Sequence, residues 1–270
     1  EKFQKKQSRL EVNEVSVVET SKAIQQGDVS LGIELGSTRI KAVLVTDDFH
    51  TVAAGSYVWE NKFENGIWTY PLDEVWKGIQ SSYKQMAAEV QSKYHITLTK
   101  ISAIGVSAMM HGYLAFSENG ILLTPFRTWR NNITEQAADE LTNVFNFNIP
   151  ERWSIAHLYQ AILNKESHVK DIHFITTLAG YVHWKLSGEK VLGIGDASGV
   201  FPIDEVTGTY SADFLDRFGR LENVAHYQWE IRDLLPKVLK AGEHAGTLTR
   251  EGAKLLDVSE NLQEGSLMAP

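Results

Sequence analysis

Three short apolar runs separated by very short turns, close to the start of the chain, restrict the fold more than any other feature. Leu31-Gly32-Ile33-Glu34-Leu35 is followed, after Gly36-Ser37-Thr38, by an apolar run from Ile40 to Val45. Asp47 and Asp48 then turn the chain into Thr51 to Trp59, which alternates with period two. Alternation of this kind lines one face of a pleated strand with apolar side chains, and connections this short join only antiparallel neighbours. The expectation is an opening β-meander.

Helical spacing takes over after Pro71, where Val75, Ile79, Tyr83, Met86 and Val90 recur near i, i+4. Pro71 suits the first turn of that helix. Ile101 to Val106 reads as a buried strand, and Tyr113 to Phe116 as another that returns through Glu118-Asn119-Gly120 to Ile121–Leu123 as a hairpin. Helical patterns recur at 133–145, 154–165, 174–186 and 211–218, while 190–209 reads as strand and turn. Residues before about 28 form a polar, partly helical arm that Val15, Val17 and Val18 could dock. A meander followed by alternating helices and strands predicts an α/β sheet layered by helices.

The 26 Lys+Arg against 34 Asp+Glu give a net charge of -8, which argues against duplex nucleic acid as a partner. With no cysteine there is neither a disulfide nor a thiolate metal site. No apolar run is long enough to span a bilayer, and the first thirty residues lack the apolar stretch of a signal peptide, so no membrane partner and a cytoplasmic location are expected. The nine His lack zinc-ligand spacing. The chain starts at Glu1 and stops at Met268-Ala269-Pro270 with no closing element in sight, which reads as an excerpt of something longer.

Four constellations can carry chemistry. In Glu34-Leu35-Gly36-Ser37-Thr38-Arg39-Ile40-Lys41 a carboxylate is followed by a turn of small residues, whose N–H groups can form a nest for phosphate oxygens. Lys41 can add a point charge and Glu34 can orient Mg²⁺ through water. The same residues also suit a plain hairpin with an exposed acid. Met109-Met110-His111-Gly112 can project an imidazole into a cleft toward sugar hydroxyls, or hold a satisfied core histidine. Thr128-Trp129-Arg130-Asn131-Asn132 sets an indole face beside amides, which suits a sugar, but also a buried Trp next to a helix cap. Gly195-Asp196-Ala197-Ser198-Gly199 reads equally as a turn.

Taken in order, these segments resemble the amino-terminal domain of the FGGY carbohydrate kinases, of the actin-like, ribonuclease-H-fold ATPase superfamily. The family's opening Asp, Gly-Thr-Thr and following basic residue correspond to Glu34, Gly36-Ser37-Thr38 and Lys41. Its Gln-Met-His-Gly corresponds to Met109-Met110-His111-Gly112, and its Trp-x-Asp to Trp129-Arg130-Asn131. Leu186-Ser187-Gly188, Asp196-Ala197-Ser198 and Ala245-Gly246-Thr247-Leu248-Thr249 follow in family order. The resemblance implies a mixed sheet with helices on both faces over residues 30–270, preceded by an arm at 1–29. It implies ATP-dependent, Mg²⁺-dependent phosphorylation of a small sugar hydroxyl, with a ketopentose such as xylulose expected and a gluconate-type kinase as the alternative. Met110, His111, Trp129 and Asn131 would face the sugar; Gly36, Ser37, Thr38 and Lys41 the phosphates; Glu34 the metal. The catalytic base and the adenosine pocket would lie in a second domain beyond Pro270, leaving this half inactive alone, and a homodimer stays open. Two residues depart from the family, Glu34 for Asp and Asn131 for Asp; Glu34, together with the missing second domain, also suits a non-catalytic sugar-binding relative. An actin-like or chaperone-like ATPase gives the Met-His-Gly and Trp-x-Asn segments nothing to do.

Overall fold

The computed structural model describes residues 17–270, and within these the chain divides into two compact units. The first holds the described residues up to Trp59, with Trp76–Ser107 and Gly246–Ala269; the second holds Glu60–Val75, Ala108–Ala245 and Pro270. Val15 and the rest of the arm before residue 17 lie outside the described residues. Residues 17–26 form helix α1, whose anchor is Ile24, 2% exposed; Val17 and Val18 face solvent instead of docking.

The first unit contains the expected meander: β1 (Val29–Leu35), β2 (Arg39–Thr46) and β3 (Thr51–Val58) pair antiparallel. Leu31 lies opposite Leu44, Ile33 opposite Ala42 and Leu35 opposite Ile40, and all six are buried, so one face of the sheet is apolar. The other face carries Gly32, Glu34 and Lys41 into solvent. Helix α2 (Leu72–Tyr94) covers the apolar face with Val75, Ile79, Tyr83, Met86 and Val90, each at most 1% exposed. It lies close because Gly55 on β3 has no side chain: a Cβ there would stand 2.0 Å from the Ser82 carbonyl oxygen. Ser82 in turn donates its hydroxyl to the Ile40 carbonyl at 3.1 Å. The outward amides of the edge strand are also closed by this helix, Ala54 N–H donating to Glu89 at 2.7 Å and Ser56 N–H to the Gln85 amide oxygen at 3.3 Å.

Strand β6 (Ala103–Ala108) continues the sheet, and the five strands run β13-β6-β1-β2-β3. The closing element that the sequence hides is β13 (Leu267–Met268), parallel to β6. Two residues are too few to show a periodicity, and a parallel partner 164 residues away leaves no local trace. Helix α8 (Arg250–Leu256), capped by the Thr249 hydroxyl on Gly252 N–H, is likewise not legible as a helix in the sequence.

The second unit places hairpin β4–β5 (Lys62–Glu64, Ile67–Thr69) beside a helical core. Strand β7 (Leu114–Phe116) pairs with β8 (Phe174–Thr176), and its return is a bridge from Phe116 to Leu122. The segment expected to be helical from 174 therefore begins as a strand. The β-branched Ile175-Thr176 pair belongs to the sheet, and α5 (Leu178–Ser187) starts only at its Thr177 cap, whose hydroxyl accepts from Gly180 N–H. Helices α3 (Glu135–Phe145), α4 (Ser154–Leu163) and α7 (Ala212–Gly219) bury Leu141, Phe145, Leu158 and Phe218 with Phe201. The 195–199 segment is mostly helix α6 (Ile194–Ala197). Short strands β9 (Val191–Gly193) and β12 (Lys237–Leu239) run parallel, β10 and β11 (Ile203–Asp204, Thr209–Tyr210) antiparallel. No helix among the described residues is long and apolar enough to cross a membrane.

Two stabilities are open to test. His157 on α4 is fully buried beside the Tyr113 ring, neither ring nitrogen has a hydrogen-bond partner, and burial lowers its pKa from 6.5 to about 3. Between those pH values the unfolded chain binds a proton that the folded chain refuses, so stability falls as pH drops through that window, at up to about 1.4 kcal/mol per pH unit. Urea unfolding at stepped pH should show His157→Phe with a slope shallower by one proton than the wild type. Gly55→Ala should cost about 1–3 kcal/mol or more by driving α2 off the sheet, read as a lower urea midpoint.

Candidate functional site

The expected site residues fall into two groups, one in each unit. In the first unit, Gly36-Ser37-Thr38 is the tip of the β1–β2 hairpin. The Gly36 N–H donates to the Arg39 carbonyl at 2.9 Å, so this amide closes the hairpin and cannot take part in a phosphate nest. Trp59, just past β3, holds the tip from one side: its indole N–H donates to the Gly36 carbonyl at 2.7 Å and its backbone N–H to the Thr38 carbonyl at 3.2 Å. In a trans peptide the N–H points opposite to the carbonyl, so the Ser37 N–H is directed away from Trp59. The exposed hydroxyls of Ser37 and Thr38 sit at the same tip.

Glu34 and Lys41 face each other across the β1–β2 ladder and form an ion pair at 2.9 Å on the exposed face of the sheet. Lys41 thus holds the carboxylate that was expected to hold a metal. Among the described residues no three His, Cys, Asp or Glu side chains gather in a metal-binding group. A lone carboxylate fits only a cation whose other positions are filled by water and by phosphate oxygens, which is the usual manner of Mg²⁺.

In the second unit a single bridge pairs Tyr113, which follows the 110–112 segment, with Arg127, which precedes the 128–131 segment. Met110 and Trp129, on the two segments that flank this bridge, are 46% and 43% exposed. His111 and Gly112 both have left-handed backbone, φ 68° and 87°. For His this conformation is strained, and the surroundings hold it: Gly112 N–H donates to the Arg152 carbonyl at 3.2 Å, and the Ser154 hydroxyl donates to the Gly112 carbonyl at 2.5 Å. The His111 ring lies against Gly199, where a Cβ would come within 2.4 Å of Nδ1. That nitrogen is buried and makes no hydrogen bond of good geometry, while a backbone contact with Gly199 opposes the lowering of the ring's pKa. Burial, helped by the positive charge of Arg152, keeps the ring below its ordinary pKa and therefore neutral at pH 7.

Asn131 departs from expectation. It is 2% exposed, and its amide is engaged with the backbone of Trp68 and Thr128. It holds chain segments together instead of offering its polar atoms to a sugar; the reason is the β4–β5 hairpin, which packs over it and which the sequence reading did not anticipate. Arg152 was also missed. The signal was available as Glu151-Arg152-Trp153 just ahead of α4, but a lone Arg before a helix is common, and only the His111 ring makes it notable. The 195–199 segment proves to be the support of that ring, since Gly199 N–H donates to the Asp196 carbonyl at 3.0 Å. Within α6, Asp196 accepts from the Thr177 hydroxyl, and burial raises its pKa.

Comparison with known proteins follows this geometry. Residues 29–262 match the FGGY family of carbohydrate kinases, N-terminal domain. A xylulose kinase of Staphylococcus xylosus is 18% identical over 242 residues, covering 86% of this chain and 47% of the relative. An L-fuculokinase of Escherichia coli is 22% identical over 241 residues, covering 85% and 48%. The crystal structure of a gluconate kinase from Lactobacillus acidophilus superposes with a TM-score of 0.71 at 17% identity, over 89% of this chain and 46% of that one. The chain spans about half the length of the relatives it matches. The structural likeness establishes the fold, an α/β domain of the ribonuclease-H-like, actin-like ATPase type with a mixed sheet.

Gly199→Ala should displace the His111 ring. The expected outcome is a shift of the His111 imidazole resonances in ¹H–¹⁵N spectra, with the resonances of the β1–β2 hairpin unchanged.

Proposed function

Because the chain belongs to the FGGY family of carbohydrate kinases, through the family's amino-terminal domain, we propose that it supplies the sugar-facing wall and part of the phosphate turn of an ATP-dependent sugar kinase. The observation that carries this reading is His111, a neutral imidazole held on strained backbone in the segment next to exposed Met110. With Nδ1 buried against Gly199, such a ring can give or take a hydrogen bond with a hydroxyl through Nε2. The indole and thioether give the C–H faces of a sugar an apolar surface. Arg152 adds a charged donor on the same side as His111.

ATP with Mg²⁺ supplies the γ-phosphoryl group when bound. The tip of the β1–β2 hairpin contributes the Ser37 N–H and the Ser37 and Thr38 hydroxyls toward phosphate oxygens, with Lys41 as the nearby cation and Glu34 as one carboxylate toward the metal's water shell. In the reaction a sugar hydroxyl attacks the γ-phosphorus, a new O–P bond forms, the bond to the ADP oxygen breaks, and the hydroxyl proton passes to a base. We place that base, and the adenosine pocket, in a domain beyond residue 270, so this chain alone is close to inert. The Met-Met-His-Gly segment favours a ketopentose such as xylulose, with a gluconate-type substrate as the second reading, since the gluconate kinase shares the fold. A cytoplasmic location is part of the same proposal.

The test is ADP release over D-xylulose, D-gluconate and L-fuculose, for this chain and for a longer form carrying the following domain. Sugar-dependent turnover in the longer form alone is expected. Turnover by this chain at the same rate would remove the missing-base account, and sugar binding without turnover in either would make the protein a non-catalytic binder. Calorimetric titration adds a pH signature: sugar affinity should be flat above pH 6.5 and fall at lower pH, as His111 gains its proton below its ordinary pKa. His111→Ala should lower affinity about five- to tenfold through loss of a hydrogen bond of about 1–1.5 kcal/mol.

A further inference from the structure

Asn131 is surrounded by backbone. Its Nδ2 donates to the Trp68 carbonyl at 2.8 Å and to the Thr128 carbonyl at 2.9 Å, and its Oδ1 accepts from the Trp68 N–H at 2.8 Å. Toward Trp68 the side chain therefore acts as a neighbouring strand would, giving one hydrogen bond and taking one from the same residue. The partners also fix which way the amide points, because the oxygen must meet the N–H and the nitrogen the two carbonyls. Thr128 N–H reinforces the junction with a bond to the Trp68 carbonyl at 3.1 Å.

What this junction docks is the β4–β5 hairpin. Trp68 lies 5.0 Å from the Phe63 ring, and the Arg130 guanidinium sits 4.1 Å over the Trp68 indole. Trp129, the exposed indole of the sugar wall, is held between residues 128 and 131, both tied to Trp68. We propose that Asn131 is a positioning residue for substrate selection: its amide fixes the hairpin to the 128–131 loop, and so sets Trp129 and the Arg130–Trp68 pair as a rigid rim for the sugar. This rests on the sugar-wall reading above.

With these three backbone partners this chain's arrangement calls for an amide, where the family's motif has Asp. An ionised carboxylate can accept from Trp68 N–H but has nothing to donate to two carbonyl oxygens, and would be repelled by both. Protonation returns one donor. Asn131→Asp should therefore be defective at neutral pH and recover in part in acid, because burial and the two carbonyls raise the pKa of the new carboxyl. The charged and titratable groups nearby are Arg130 over Trp68, and Tyr70, which feels the Arg130 charge. Burial also lowers the pKa of His111, so each variant is compared with the wild type at the same pH.

Two quantities decide the matter at pH 7.5 and pH 5: hydrogen exchange at the Trp68 amide, and calorimetric affinity for D-xylulose and D-gluconate. N131D at pH 7.5 should exchange Trp68 about tenfold faster and bind sugar about tenfold more weakly than wild type, the order of one lost hydrogen bond or more. Both ratios should shrink at pH 5, whereas N131A should show both defects at either pH. If N131D does not fold by circular dichroism, Asn131→Ser, with one donor and one acceptor, should show an intermediate loss of both. Unchanged Trp68 exchange together with lost sugar affinity would make Asn131 a direct sugar ligand and overturn the proposal. Equal defects in N131D and N131A with no acid recovery would reduce the residue to packing and also overturn it. If the wild type binds neither sugar while Trp68 exchange follows expectation, the junction stands, but the sugar-wall reading falls and substrate positioning with it.

Discussion

The close approach of helix α2 to strand β3 governs the first unit. A backbone-to-backbone contact at Gly55 brings the helix near enough for Ser82 to bond the Ile40 carbonyl and for five apolar side chains to fill the face of the meander. That burial fixes the register of β1 and β2, since a slip by one residue would turn Ile33 and Ala42 outward and Glu34 and Lys41 inward. The exposed ion pair and the hairpin tip therefore occupy their places because the opposite face is packed. Chemistry on one side of the sheet is set by hydrophobic burial on the other.

Strain organises the second unit. Left-handed backbone at His111 is unfavourable by itself and persists only where the neighbours over-determine it. Here they include the Arg152 carbonyl, the Ser154 hydroxyl and the bare Cα of Gly199. A segment that the sequence leaves as a plain turn, Gly195 to Gly199, becomes the bed of an imidazole. The lesson about Asn131 runs the other way. A residue with suitable chemistry for a ligand is drawn into holding the scaffold, and the indole near it is left exposed.

Much of this was legible in the chain. The meander, α2 and the 135–145 and 154–163 helices have strong periodicity because each presents one face to a core, and burial writes itself into spacing. The Met110-His111-Gly112 and Trp129 segments were legible as a family succession. The rest depends on distant pairing. The strand Leu267–Met268 exists only through β6, Phe174–Thr176 is a strand only because β7 lies alongside, and the role of Asn131 depends on a hairpin 63 residues away. The division into two units was equally hidden, since residues 60–75 leave one and join the other with no shift in composition at either crossing.

The closure of the β3 edge has a consequence for assembly. A bare edge strand invites another chain to add itself by backbone pairing. On β3 the two outward amides of the central stretch already donate to Glu89 and Gln85, and Glu89 is further tethered by Lys93 at 2.5 Å. An incoming strand would have to evict a carboxylate and an amide before forming its first bond there. Whatever company this protein keeps, the growth of its central sheet is directed away from β3.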